Sequence, residues 1–538
     1  SMSVDLGSIV HTLLLFAVIF LLILLNSLRQ IHLSKPIELL QSENMGEKPP
    51  RSNWLLAIVG MVILAGAYYL AVTIENPVSA LVWFFVAVIM VILATYLLFI
   101  SGSVAICRLL QKKKNYYYKT SHFVSISSMV YRMKRNGAGL ASICILCTMV
   151  LVMLSSTVCL YSGAENSLRS RYPRNINLDL ATTGDVDSLQ SKSVEEVKTL
   201  SAQVLSEYGQ ELQNVLDYRV ASFAGYLNGD TVELDTSSLL SFQLSEYSNV
   251  WQIFIVPLED YNRLMEQEES LNPGEALIYT TKTGYGSDTI TIGDTETLQI
   301  PKKVADFADN GVDAMQIVPS LYLFVPNFEE YVNPLLSWSD FNGDRLVQLH
   351  WYYGFDLSCD AETQIEIQAQ LEEALKPLAP EEDGSLRHIL CEGVAKERNG
   401  FYGMYGGLFF LGILLGLVFV FAAVLIMYYK QVSEGYEDQS RFGIMQKVGM
   451  TKREIKRSIN SQVLTVFFLP LIASGVHLAF AFPLISKLLV LFGLTNITLL
   501  IGVTVCCFLL FAVLYVLVYR ITSKAYYSIV SGAKEEQA

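Results

Sequence analysis

Apolar and polar positions alternate along this chain in two distinct regimes. Seven nearly uninterrupted apolar runs fall at roughly 9–28, 54–75, 78–101, 140–161, 403–429, 460–485 and 494–520. A helix rising about 1.5 Å per residue needs about 20 such residues to cross a hydrocarbon layer of about 30 Å, so each run predicts a membrane span. Between the fourth and fifth runs, from Gly163 to Gly400, the pattern changes to short periodic segments. Val194–Tyr208 and Gln364–Leu375 carry helical spacing, whereas Asn175–Ala181, Trp251–Val256, Ile317–Val325 and Leu346–Leu357 read as strands. The predicted fold class is a polytopic α-helical membrane protein, with seven transmembrane helices here and one large α+β extracytoplasmic domain.

Charge orients this arrangement. Of 538 residues, 52% are hydrophobic and only 17% charged, against about 25% charged in an ordinary soluble domain. The net charge of −13 hides a division. Gly163–Gly400 holds 40 acidic and 15 basic residues, a balance of −25, and the remainder holds 11 and 23, a balance of +12. Basic residues cluster on cytoplasmic loops, so the acidic insert lies outside. Arg29, His32 and Lys35 close the first span inside, Arg108, Lys112, Lys113 and Lys114 the third, and Arg520 and Lys524 the seventh. This leaves the N-terminus outside, with no positive leader or cleavage site at the first span. A basic membrane part under an acidic domain makes the lipid bilayer the surrounding phase and excludes nucleic acid as a partner.

The stretch Tyr428–Pro470 joins the fifth and sixth spans on the basic side. Phe442, Met445 and Val448 recur every three residues as one apolar stripe, flanked by Glu437, Asp438, Arg441 and Lys447, which predicts a short helix. Gly449 supplies a stop. Thr451 and Glu454 have capping-box spacing for the next helix: the hydroxyl accepts from the Glu454 amide and the carboxylate from the Thr451 amide.

Other features concern packing. Gly403, Gly407, Gly412 and Gly416 give two GxxxG pairs in the fifth span, predicting close approach to another helix of the same chain. Pro470 predicts a kink in the sixth, and His477 beyond it predicts a hydrogen bond to a neighbouring helix. Tyr116–Asn136 mixes aromatics and Met with Lys and Arg and reads as an amphipathic helix on the inner leaflet. In the insert, Trp251, Trp338, Trp351, Tyr352 and Tyr353 are candidates for core or for a ligand groove, with core favoured. Cys359 and Cys391 can form a disulfide or remain buried thiols. The other six cysteines lie in or beside spans and have no metal-ligand spacing. Phe16-Ala-Val-Ile-Phe and Phe511-Ala-Val-Leu-Tyr, each leading to a basic exit, form a weak internal repeat.

The segment from Tyr428 through Ile455, followed by Phe467-Phe-Leu-Pro-Leu471, resembles the coupling segment of an FtsX-like ABC transporter permease of the bacitracin-export (BceB) type. The resemblance implies that Glu434, Gly435, Tyr436, Asp438, Phe442, Met445 and Gly449 meet a separate ATP-binding subunit, expected in two copies. It implies ten spans, of which those here match the last seven, so three leading helices are expected to be missing. The implied division is 1–52 (span and tail of a first FtsX-like unit), 53–101 (hairpin), 102–162 (cytoplasmic amphipathic segment and span), 163–400 (extracytoplasmic domain) and 401–538 (second FtsX-like unit). Function is then expected to be resistance to antimicrobial peptides at the outer face, with a peptide antibiotic or a lipid-linked cell-wall precursor as ligand. A membrane histidine kinase is a possible further partner, in sensing. The alternative is a mechanotransmission permease of the MacB or lipoprotein-release class, acting on lipoproteins or envelope factors.

No GxxxxGK[ST], HExxH or GxSxG occurs in the sequence. The chain is therefore expected to carry no catalytic residues, no metal and no cofactor of its own, with ATP bound by the partner subunit.

Overall fold

The computed structural model describes residues 6–33, 53–74, 77–113, 120–182, 184–190, 192–234, 249–309, 311–315, 318–339, 345–378, 386–447, 451–494 and 496–530. Two compact units emerge, Ser1–Arg51 and Ser52–Ala538. The described residues of the first form one apolar helix, α1 (Leu6–Leu33), whose described side chains are all exposed.

In the second unit a hairpin of α2 (Trp54–Thr73) and α3 (Pro77–Leu97) leads through a π-turn at Leu98–Gly102 into α4 (Ser103–Lys112). α5 (Thr120–Ser162) then rises to the outer domain. Its Gly137 lies against the π-turn, where a Cβ would come 2.7 Å from the Phe99 carbonyl oxygen. Three long helices close the chain: α10 (Val394–Lys447), α11 (Lys452–Val490) and α12 (Ile497–Val530). Seven helices among the described residues are long and apolar enough to cross a membrane, matching the seven apolar runs.

The segment read as lying on the inner leaflet is instead continuous with the fourth span from Thr120 onward. Its apolar side has a protein neighbour: Val130 and Met133 are buried in one cluster with Val104 and Cys107 of α4. The kink expected at Pro470 leaves α11 helical throughout, past Pro483 as well. A proline removes one backbone donor and loosens the preceding turn. Here the Tyr515 hydroxyl of α12 donates to the Phe467 carbonyl at 2.7 Å, so a neighbouring helix supplies hydrogen bonding beside the gap. His477 joins three helices. Thr95 already donates to the Val91 carbonyl at 2.6 Å, so it accepts from Nε2 of His477 at 3.1 Å. Nδ1 then accepts from the Tyr68 hydroxyl at 2.7 Å. Both ring nitrogens are engaged.

The outer domain opens with α6 (Ala164–Arg171) and is built on ten strands. They are β1 (Ile176–Thr182), β2 (Gln213–Asn228), β3 (Thr231–Glu233), β4 (Val250–Pro257), β5 (Glu275–Thr281), β6 (Thr289–Ile292), β7 (Leu298–Lys303), β8 (Ser320–Val325), β9 (Gln348–Asp356) and β10 (Leu386–Gly393). α7 (Lys192–Glu207), α8 (Leu258–Met265) and α9 (Ala361–Leu375) pack on them. The order is β10-β1-β9-β2-β3-β6-β7-β5-β8-β4, and β4 also pairs with β2. Seven strands thus close a ring, because the far half of β2 serves β3 and β4 while its near half, to Ser222, pairs with β9. β9 is buried on both faces. Trp351, Tyr353 and Phe355 enter one core and Tyr352 the other, the period-two alternation of a strand. Four of the candidate groove aromatics, Trp251, Trp351, Tyr352 and Tyr353, are therefore core, and Trp338 packs against it. Cys359 and Cys391 are both free thiols, partly buried against that core.

Candidate functional site: the two ends of the α5–α10 pair

α10 is a single helix of 54 residues, from the last strand of the outer domain to the coupling segment. The separate short helix expected after the fifth span does not form. The run from Tyr428 to Lys447 contains no proline, and its single glycines cost only about 1 kcal/mol each, so nothing interrupts the hydrogen-bond ladder. Phe442 and Met445 lie on this helical backbone, with side chains outside the described set, and Gly449 lies outside the described residues. Thr451 stands directly before the first residue of α11, at the N-cap position, and the Glu454 side chain again lies outside the described set.

The residues expected to meet an ATP-binding subunit, where their side chains are described, divide by face. Tyr436 is 64% exposed, whereas Glu434 and Asp438 are 7% and 8% exposed and turn into the bundle. Asn136 of α5 donates its side-chain amide to Glu434, and Lys430 donates to the Asn136 carbonyl at 3.0 Å. The Tyr526 hydroxyl of α12 donates to Asp438 at 2.6 Å. Gly435 sits opposite α12, where a Cβ would lie 3.4 Å from Ile529 and 3.5 Å from the Tyr526 ring. Asn136, Lys430, Gln431 and Tyr526 were not singled out from sequence. A signal existed: Ala423, Met427, Gln431, Glu434 and Asp438 are spaced by four, four, three and four and continue one buried face.

The glycine pairs divide in the same way. At Gly412 a Cβ would come 2.4 Å from the Thr157 hydroxyl oxygen, and at Gly416 3.1 Å from Leu154, both on α5. At Gly403 and Gly407 nothing lies within 4 Å. The close packing expected of all four therefore holds for the second pair only. Five residues separate Gly407 from Gly412, a rotation of about 140° at 3.6 residues per turn, so the pairs face different directions.

At the outer end, Arg398 of α10 makes a two-bond contact with Glu165 of α6 at 2.6 and 2.9 Å, and Tyr402 donates to the same carboxylate at 3.0 Å. Arg171 pairs with Glu392 at 2.8 Å. The Tyr405 hydroxyl donates to the Phe492 carbonyl at 2.5 Å. Gly163 leaves room for Leu494, which would lie 2.1 Å from a Cβ there.

Beside this junction a cavity of about 560 Å³ opens between the outer domain and the membrane helices. Its polar wall includes Thr280, Thr281, Thr283, Ser486 and Asn496, and its apolar wall Val490, Leu494, Ile497 and Leu500. Lys282 in this wall pairs with Asp313 at 3.2 Å, while Lys487 has no ion-pair partner among the described residues. Sequence reasoning missed the cavity because its two walls lie about 200 residues apart. The run Thr280-Thr-Lys-Thr283 and the pair Ser486-Lys487 were its only signals.

Fold and site together define a multi-pass membrane protein whose extracytoplasmic domain is wired by one continuous helix to the opposite membrane face. Residues 408–530 match the FtsX-like permease C-terminal family, a stretch that takes in most of α10 and all of α11 and α12. The chain is 21% identical over 485 residues to the uncharacterized ABC transporter permease YvcS of Bacillus subtilis (strain 168), covering 88% of this chain and 69% of that one. It is 23% identical over 502 residues to the bacitracin export permease protein BceB of Halalkalibacterium halodurans, covering 89% and 71%. The corresponding protein of Bacillus subtilis (strain 168) is 22% identical over 507 residues, covering 88% and 70%. The chain is a multi-pass protein of the bacterial cell membrane that carries an FtsX-like permease C-terminal region and is similar over most of its length to ABC transporter permeases.

Proposed function

We propose that this permease couples ATP hydrolysis in a separate ABC ATP-binding subunit, present in two copies, to the handling of an antimicrobial peptide or its lipid-linked cell-wall target at the outer face. The single observation carrying this reading is the unbroken course of α10 between the outer domain and the segment resembling an ATPase-coupling element. The bonds that tie α10 to α5–α6 outside and to α5 inside support motion of the two helices as a pair. On this reading Tyr436, Phe442, Met445 and Gly449 meet the ATPase, while Glu434, Gly435 and Asp438 hold the coupling end to the rest of the permease.

The cavity at the outer junction fits the ligand end of this scheme. An amphiphile would lay its chain along Ile497 and Leu500 and bring an anionic head to Lys487 and the threonine hydroxyls. A membrane histidine kinase, reading the same motion, is a compatible further partner.

Phe442→Asp tests the coupling end. A charge in an apolar docking contact costs about 2–5 kcal/mol, so the variant is expected to insert normally and lose the ATPase on purification. Recovery of the ATPase at wild-type yield would refute the assignment. Lys487→Glu tests the outer end: ATPase co-purification should be unchanged while protection against cell-wall-targeting peptides falls. Undiminished protection would remove the cavity from the scheme.

A further inference from the structure

Between α5, α10, α11 and α12, one turn above the Asp438–Tyr526 contact, the bundle leaves a small, partly open cavity of about 20 Å³. Leu140, Ile143, Met427, Val466, Phe467 and Tyr515 form most of its wall. The polar part consists of Lys430, Gln431 and Glu434. Glu434 and Lys430 are both engaged with Asn136. Gln431 differs. Its side chain is 94% buried, and neither its amide nitrogen nor its amide oxygen has a hydrogen-bond partner among the described residues.

A buried amide with both ends unpaired is rare, because each group loses its hydration without replacement. A cavity needs about 10–15 Å³ and two to four polar partners to hold a water molecule, and this one meets both conditions. A dry apolar void has no such partners. A bound cation is disfavoured, since the Lys430 ammonium already shares the wall.

We propose that this cavity is a water site. One buried water accepts from the Gln431 amide nitrogen and donates to its amide oxygen, its second O–H donates to the Glu434 carboxylate, and its remaining lone pair accepts from the Lys430 ammonium. The site lies where α10 leaves the membrane for the coupling segment. A water there is a replaceable partner: when the inner end of α10 shifts against α5, Gln431 and Glu434 exchange hydrogen bonds through it and no buried group is stripped bare. The inference is independent of which ligand the outer face takes.

Hydroxyl-radical labelling of the full permease in lipid nanodiscs tests it, because radicals form from water wherever water is held. Met427 lines the cavity and Met133 packs in another cluster, and both are 3% exposed. Met427 is expected to be oxidised at radical doses that leave Met133 intact. Gln431→Leu and the more flexible Gln431→Met should both bring Met427 down to the rate of Met133. Equal rates in the wild type would overturn the proposal. So would preferential Met427 labelling that survives both substitutions, since Gln431 would then not hold the water.

Discussion

α10 is fastened at both membrane faces, to α6 outside and to α5 and α12 inside, by different chemistry. Outside, the fastening is ionic and partly solvated: the Arg398 and Glu165 side chains are 39% and 42% exposed, and the same carboxylate also accepts from Tyr402. Inside, its carboxylates are buried: Glu434 meets the half-buried Asn136, which also accepts from Lys430, beside the unpaired amide of Gln431, and Asp438 reaches across to Tyr526. A solvated ion pair tolerates small displacements because water fills in behind it. A buried polar cluster has discrete arrangements, since each group must find a partner in every state it adopts. On the proposed function, the difference puts the choice between conformations at the inner end of α10 and leaves the outer end as a compliant mount for the domain.

Four substitutions probe this contrast. The largest effect is expected between the two ends. Gly412→Leu would force bulk into the Thr157 hydroxyl and separate α10 from α5, at about 3 kcal/mol. Thermal unfolding of the detergent-solubilised permease should show the loss, and ligand should cease to alter ATP turnover in reconstituted membranes; an unaltered ligand response would exclude α10 as the transmitter. Next is Glu434→Ala, which strands the Asn136 side-chain amide and should cost about 2 kcal/mol. If stability is unchanged, the inner cluster is not a fastening. Arg398→Gln breaks an exposed pair and is expected to cost about 0.5–1 kcal/mol, less in high salt. A loss as large as that of Glu434→Ala would abolish the contrast between the ends. Gly407→Leu faces open space, and its expected effect on unfolding is within about 0.5 kcal/mol; a large loss would mean that this face also packs.

Much of this was legible in the sequence, and the missed parts share a cause. The seven spans and the mixed outer domain follow from hydropathy and period, which are local properties. β2 was missed: its 16 residues serve different partners in their two halves, so no single alternation runs through them. β10 was missed because its charged residues suit an edge strand, paired among the described residues with β1 alone. At the candidate site, the motif marked Glu434 and Asp438 as important but not their direction. A motif names positions, while the face they occupy depends on the phase of the whole helix. Counting from Ala423 and Met427 would have turned both inward, and counting from Gly407 to Gly412 would have separated the two glycine pairs.

The length of α10 has its own consequence. At about 1.5 Å per residue its 54 residues measure about 80 Å, more than twice the hydrocarbon thickness of about 30 Å. Pivoting near its midpoint, a tilt of about 5° displaces either tip by about 3–4 Å. That is the reach of one hydrogen bond. An angular change too small to alter the appearance of the outer domain is therefore enough to exchange one bonding partner for another at the cytoplasmic tip.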